Sequence, residues 1–133
     1  MHVDADVAKK FLDWIKVKIF IHISDREIYF KDAEIWWASI GHNIGTESNG
    51  KNDTFERPVL IFKKFSRDSF WGIVISSQVK SGPYYYPFRL KKRRYYINLS
   101  QLRLLSSKRL LRHIGSLEPT DFIKIRNAIK NLT

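Results

Sequence analysis

No cysteine occurs among the 133 residues, so neither a disulfide nor a thiolate metal site is open to this chain. That is compatible with a reducing cytoplasm. A long hydrophobic run is missing as well. The most apolar early stretch, VKIFIHI, is interrupted by Lys18 and His22 and falls far short of the ~20 residues that a membrane span needs. The start, MHVDADVAKK, opens acidic, unlike the basic start of a secretory signal. A soluble, unexported, cytoplasmic protein without membrane contact is expected. There is no internal repeat and no low-complexity tract. His2, His22 and His113 show no ligand spacing and the acids form no cluster, so neither a metal nor another cofactor is expected.

Acidic residues are also scarce in one place. Residues 63–133 hold 3 Asp/Glu against 16 Lys/Arg, a balance of +13, whereas residues 1–62 balance at −2. A basic half of that size makes a long-range positive field whose natural partners are polyanions, either nucleic acid or an acidic protein segment.

What is present suffices for one compact core, since 44% of the residues are hydrophobic. Val7, Phe11, Trp14, Ile15 and Lys18 recur at helical spacing, predicting a helix over 6–18 with Asp4 or Asp6 as its N-cap. REIYF, AEIWWASIG, PVLIFKKF, FWGIVISS, YYYPF and YYINLSQLRLL read as short strands. In QLRLL, Leu102 and Leu104 are expected on one face and Gln101 and Arg103 on the other. SSKRLLRHIG reads as one or two helical turns capped by Ser106 or Ser107 and stopped by Gly115. Pro119 opens a last helix with the apolar stripe Phe122, Ile125, Ile129 and Leu132. Short strands with a terminal helix predict a small, strongly bent barrel or sheet.

The stretch GTESNGKNDTFERPVLIFKKF, residues 45–65, sets the functional question. A polar loop ends at Arg57, and Pro58 with an apolar run follows at once. Proline gives no N–H to a ladder, so it belongs at the first position of its strand, and its ring extends the preceding residue. Arg57 is thus held at a rim under a mobile loop. Its planar fork of donors suits a phosphate, and a plain ion pair with Glu56 or Glu47 is the competing reading. A second apolar strand ends in Ser76, Ser77 and Gln78, followed by Lys80; these side chains can hold a phosphate oxygen or serve as ordinary turn residues.

EIWWASIGHNIGTESNGKNDTFERPVLIF resembles the start of a MazF/PemK-type toxin, with the family's Gly-Ser-Glu-Gln and Arg-Pro-Val present as Gly45-Thr46-Glu47-Ser48 and Arg57-Pro58-Val59. ISSQVKSGPYYYPFRL resembles that family's strand end of paired hydroxyls, Gln, Lys and Tyr-Pro-Phe. INLSQLRLLSSKRLLRHIGSLEPTDFIKIRNAI resembles its C-terminal block. The likeness runs from about Ala33 to Leu132, leaving residues 1–32 as a helical extension packed on a toxin domain of residues 33–133.

The resemblance implies a mainly β (α+β) fold: an SH3-like small barrel of the MazF/CcdB type with an N-terminal helix, a short helix and a C-terminal helix. It implies a homodimeric toxin that cleaves single-stranded RNA at short sequences without a metal and is silenced by an acidic antitoxin. DNA binding by the toxin alone is not expected. The family's catalytic arginine falls on Arg57, its threonine on Ser76 and its loop glutamate on Glu47. Ser77, Gln78, Lys80, Lys51 and Tyr84, first of the tyrosine run Tyr84–Tyr86, are the expected RNA contacts. Arg57 would stabilise a phosphorane, Ser76 would donate to a non-bridging oxygen, and Glu47 would serve as base; His42 is a possible shuttle or a simple turn residue. The longer loop and Ser48, where the family has Gln, bear on the sequence cut more than on the chemistry. A non-catalytic RNA- or protein-binding barrel, or a topoisomerase poison of the same fold, are the alternatives.

Overall fold

A computed structural model describes residues 2–133. Helix α1 (Ala5–Ile23) begins at Asp4, whose carboxylate accepts from the Asp6 and Val7 N–H groups and so satisfies two donors of the first turn. Of its expected apolar positions, Trp14 is buried, whereas Val7 and Ile15 are exposed. Among the described residues no helix is long and apolar enough to cross a membrane.

Seven antiparallel strands follow: β1 (Glu34–Ser39), β2 (Glu56–Ser66), β3 (Ser69–Ser76), β4 (Tyr85–Leu90), β5 (Arg93–Asn98), β6 (Arg103–Ser106) and β7 (Leu110–Ser116). They form one sheet in the order β4-β5-β3-β2-β1-β7, with β6 on β3 beside β5. The expected barrel is not closed, because β4 and β7 end the path without pairing to each other. Helix α2 (Pro119–Asn131) opens on the expected proline.

Alternation along the strands sends side chains to two cores. Leu60, Ile73, Ile75 and Ile97 face one, which is covered by Phe122 and Ile125 of α2. Val59, Ile61, Val74 and Phe70 face the other, closed by Phe30, Leu105 and Leu110. A sheet buried on both faces explains why VLIF and IVI are continuously apolar.

Three sequence expectations fail for identifiable reasons. Residues 26–30 form no strand: the Arg26 guanidinium donates to the Leu110 carbonyl at 3.2 Å and the Lys64 ammonium to the Phe30 carbonyl at 3.0 Å, so side chains take the place of a ladder. Only Ser107–Arg109 is helical, as one 3-10 turn capped by Ser106. The residues after it, through Gly115, instead pair with the free edge of β1. Leu104 is 62% exposed while Leu105 is buried, so the inward face of β6 starts one residue later than the alternation from Leu102 suggests.

The Tyr86 hydroxyl ties β4 to the first turn of α2 by donating to the Asp121 carboxylate at 3.0 Å. Burial, reinforced by this bond to a carboxylate, pushes the phenol from 10.0 up to about 12. The protonated hydroxyl therefore contributes stability that is complete below the ordinary phenol value and disappears as pH rises through the folded one. Between about pH 10 and 12, Tyr86→Phe should lose less melting temperature than the unaltered protein. Equal losses in the two proteins would remove this contribution.

Candidate functional site

The loop between β1 and β2 is held by main-chain and side-chain hydrogen bonds. Ile40 and Gly41 both donate to the Phe55 carbonyl, the Gly50 N–H reaches the Gly41 carbonyl at 2.7 Å, and Lys51 and Glu56 exchange backbone bonds. Asn43 braces it from inside by donating to the Ile40 and Ser48 carbonyls at 3.0 and 2.8 Å. Gly50 lies so close to the Phe55 carbonyl that a Cβ would stand 1.7 Å from its oxygen. Gly41 has φ +94° and its α-carbon faces the Trp14 ring, where a Cβ would meet Cε2 at 2.4 Å. The loop is therefore clamped between its own backbone and α1.

Strand β2 begins at Glu56, so Pro58 is its third residue and not its first. It faces Trp37 of β1, while the β2–β3 ladder stops at Val59 opposite Val74, next to the residue that has no N–H to give. Continuing that register by two residues sets Arg57 against Ser76, on the face shared by Val59 and Val74. These side chains line a cleft of ≈ 220 Å³, joined by Gln78 and Lys80 beyond β3, Thr46 and Ser48 from the loop, and Tyr85, Tyr96, Asn98 and Gln101 from the β4–β5 side.

Arg57 is half-buried, and its Nε donates to the Asn49 carbonyl. It does not form the ion pair that was its competing reading. Glu56 is held by the Arg112 guanidinium at 2.7 Å, and the Glu47 carboxylate accepts from the Ile44 N–H at 3.1 Å. Burial lowers the Arg57 pKa from its ordinary value; a guanidinium keeps its charge near neutral pH. Ser76 Oγ accepts from the Gln78 N–H at 3.1 Å, which leaves its O–H free to donate. No acidic side chain lines the cleft, and both charged residues that do, Arg57 and Lys80, are cationic.

Arg57, Ser76, Gln78 and Lys80 thus share one cleft, and Glu47, Ser77, Lys51 and Tyr84 are exposed residues outside its lining. His42 packs edge-on against Phe11 with ring centroids 4.6 Å apart, also outside the cleft. Of the tyrosine run Tyr84–Tyr86 only Tyr85 lines the cleft, and Tyr96, Asn98 and Gln101 were not singled out from sequence. The available signal was strand phase: Tyr85 pairs with Asn98 and Tyr96 with Ser76, whereas Tyr86 packs against the α2-covered core. Ser48 Oγ lies 3.2 Å from the Gln101 side-chain oxygen, linking loop to strand end. Among the described residues no three His, Asp or Glu side chains converge as metal ligands.

An open antiparallel sheet with a helix on one face and a cleft lined by Arg57, Lys80 and no acid defines a small, mainly β protein. Residues 31–133 match the family described as PemK-like, MazF-like toxin of type II toxin-antitoxin system, and the chain belongs to that family. Among solved structures, MazF (Form-I) from Deinococcus radiodurans is similar with a TM-score of 0.66 at 14% identity, over 79% of this chain and 96% of that one. The endoribonuclease in complex with its cognate antitoxin from a Mycobacterial species gives 0.60 at 14%, over 77% and 93%. MazE-MazF (Form-II) from Deinococcus radiodurans gives 0.61 at 11%, over 79% and 95%. At these identities the likeness is one of fold. No curated protein matches the chain in sequence.

Proposed function

We propose that this chain is the toxin of a toxin–antitoxin pair and an endoribonuclease that cuts single-stranded RNA without a metal. The observation that carries this reading is the Arg57 guanidinium, free of any ion pair and held by a backbone carbonyl, lining an acid-free cleft together with the Ser76 hydroxyl. RNA supplies its own nucleophile: the 2′-oxygen attacks the adjacent phosphorus, the 5′-oxygen leaves, and a 2′,3′-cyclic phosphate and a 5′-hydroxyl result. The 2′-proton is lost and the leaving oxygen gains one, so the balance is closed by two proton transfers. Arg57 stabilises the charge that grows on the phosphorane, and Ser76 donates to a non-bridging oxygen. Gln78 fixes the Ser76 oxygen, and Lys80 holds the neighbouring backbone. Glu47 is the proposed acceptor of the 2′-proton, its exposed side chain turning away from the Ile44 N–H to reach it.

Residues 1–32 are, in this reading, an extension of a toxin domain formed by residues 33–133. The partner that silences it is an acidic antitoxin segment drawn to the basic half of the chain. The Deinococcus MazE-MazF structure and the Mycobacterial endoribonuclease in complex with its cognate antitoxin share this fold and support an antitoxin partner. The protein acts as a homodimer, for which exposed Leu104 with Trp71 and Phe65 offers apolar surface.

The test is a mixed single-stranded RNA incubated with the protein in EDTA. Fragments ending in 2′,3′-cyclic phosphate are expected, with Ser76→Ala about 10²-fold slower for the loss of one preorganised donor. RNA left intact by the unaltered protein would end the nuclease reading and leave a binding module.

A further inference from the structure

The sheet face that borders the cleft continues past Asn98. Side chains two apart on a strand share a face, so Asn98, Tyr96 and Arg94 of β5 lie on one side. Their cross-strand partners Tyr85, Pro87 and Arg89 of β4 lie on the same side. The first two pairs include three residues of the cleft wall, Asn98, Tyr85 and Tyr96. The third pair sets two arginines directly opposite each other, about 13 Å along the strand from Asn98 at ~3.3 Å per residue.

Like charges facing each other across an antiparallel pair destabilise the ladder. Nothing local compensates here: among the described residues neither Arg89 nor Arg94 joins an ion pair, and neither side chain makes a hydrogen bond. Both are exposed, and the turn beyond them adds Lys91 and Lys92, both in left-handed backbone conformation. The opposite face of the same ribbon is spoken for, since Tyr86, Phe88, Leu90, Tyr95 and Ile97 pack on the α2-covered core.

We infer that the outer face of the β4–β5 ribbon is a second RNA-binding tract, in which Arg89 and Arg94 together grip backbone phosphates of the strand a few nucleotides from the one held at Arg57. Between the two cationic stations run half-buried Tyr85 and exposed Pro87 over the buried Tyr96, an acid-free stretch along which an extended strand can lie. The tract rests on the reading of the cleft as the place of the scissile phosphate. It makes the substrate an extended single strand longer than the cleft itself.

The experiment uses a mixed-sequence 2′-O-methyl RNA, which carries the same phosphates but has no free 2′-hydroxyl to attack. Log affinity is followed against log salt for the unaltered protein, for Arg89→Gln/Arg94→Gln and for Arg89→Lys/Arg94→Lys. Two phosphate contacts at about 0.7 each predict that the Gln pair shallows the slope by about 1.4 while the Lys pair keeps it. With cleavable RNA, the Gln pair should raise KM about tenfold and leave kcat alone, and a dinucleotide substrate should be cut as before. The melting temperature of the Gln pair should equal or exceed that of the unaltered protein, because the opposed charges are gone. An unchanged salt slope in the Gln pair overturns the tract even if RNA is cut. Absence of cutting by the unaltered protein, with the slope change intact, overturns the nuclease reading alone.

Discussion

Arg57→Ala is expected to lower kcat for RNA cleavage by about 10³-fold, equivalent to ~4 kcal/mol of lost transition-state stabilisation. The side chain sits half-buried, where charge interactions are less screened than in water. Its Nε is spent on the Asn49 carbonyl, which leaves the terminal nitrogens of this cleft-lining residue without a protein acceptor. A group bound this way meets the phosphorane more strongly than the ground-state diester. The loss should therefore fall on kcat and kcat/KM nearly equally, with KM little changed. Arg57→Lys keeps the charge but cannot both hold the Asn49 carbonyl and present a flat fork, and it should recover only part of the rate. Single-turnover cleavage of one RNA by the three proteins measures this, and a KM effect with kcat intact would reduce Arg57 to a simple binding group.

Trp14→Ala should cost about 3–5 kcal/mol of stability, as removal of a buried large aromatic side chain does. That corresponds to a drop in melting temperature of roughly 10–20 °C for a chain of this size. Trp14 is 6% exposed. Its ring lies 5.6 Å from Phe55 and beneath the Arg109 guanidinium, which also holds the Ser39 carbonyl at 3.1 Å. It further occupies the space in front of Gly41 that no side chain could share. The damage should reach the cleft, because Phe55 carries the carbonyl that gathers Ile40 and Gly41 at the base of the Arg57 loop. Cleavage by the folded fraction at low temperature should slow as well. Calorimetry together with low-temperature kinetics checks both parts, and a melting shift within a degree or two would mean that α1 rests on the sheet without supporting it.

Strands β2 and β3 were plain in the sequence because burial on both faces wrote itself as VLIF and IVI. Helices α1 and α2 were plain through Asp4 and Pro119. The family resemblance pointed to Arg57 and Ser76, and strand register explains physically why these two share a cleft. Local patterns failed where a distant partner decides. Ser106 and Gly115 carry helix-cap and helix-stop signals, yet the unpaired edge of β1 draws the intervening residues into β7. REIYF has strand composition, but its Phe30 carbonyl is met by the Lys64 side chain, and its own Arg26 side chain reaches out to the Leu110 carbonyl. Among the tyrosines the difference between Tyr84 and Tyr85 is a single step of strand phase, which no composition reveals. The loop read as mobile because its residues are polar and Gly-rich; the main-chain bonds that hold it leave little trace in side-chain chemistry.

The acceptor that holds Arg57 belongs to the peptide unit of residue 49 and not to the asparagine side chain. Every amino acid brings the same main-chain oxygen, but the Asn49 side chain also accepts from the Asn43 N–H, so a substitution there keeps the acceptor for Arg57 and loses a brace of the loop. The vulnerability moves one residue along, to Gly50, where any side chain would have to displace the neighbouring strand of the loop.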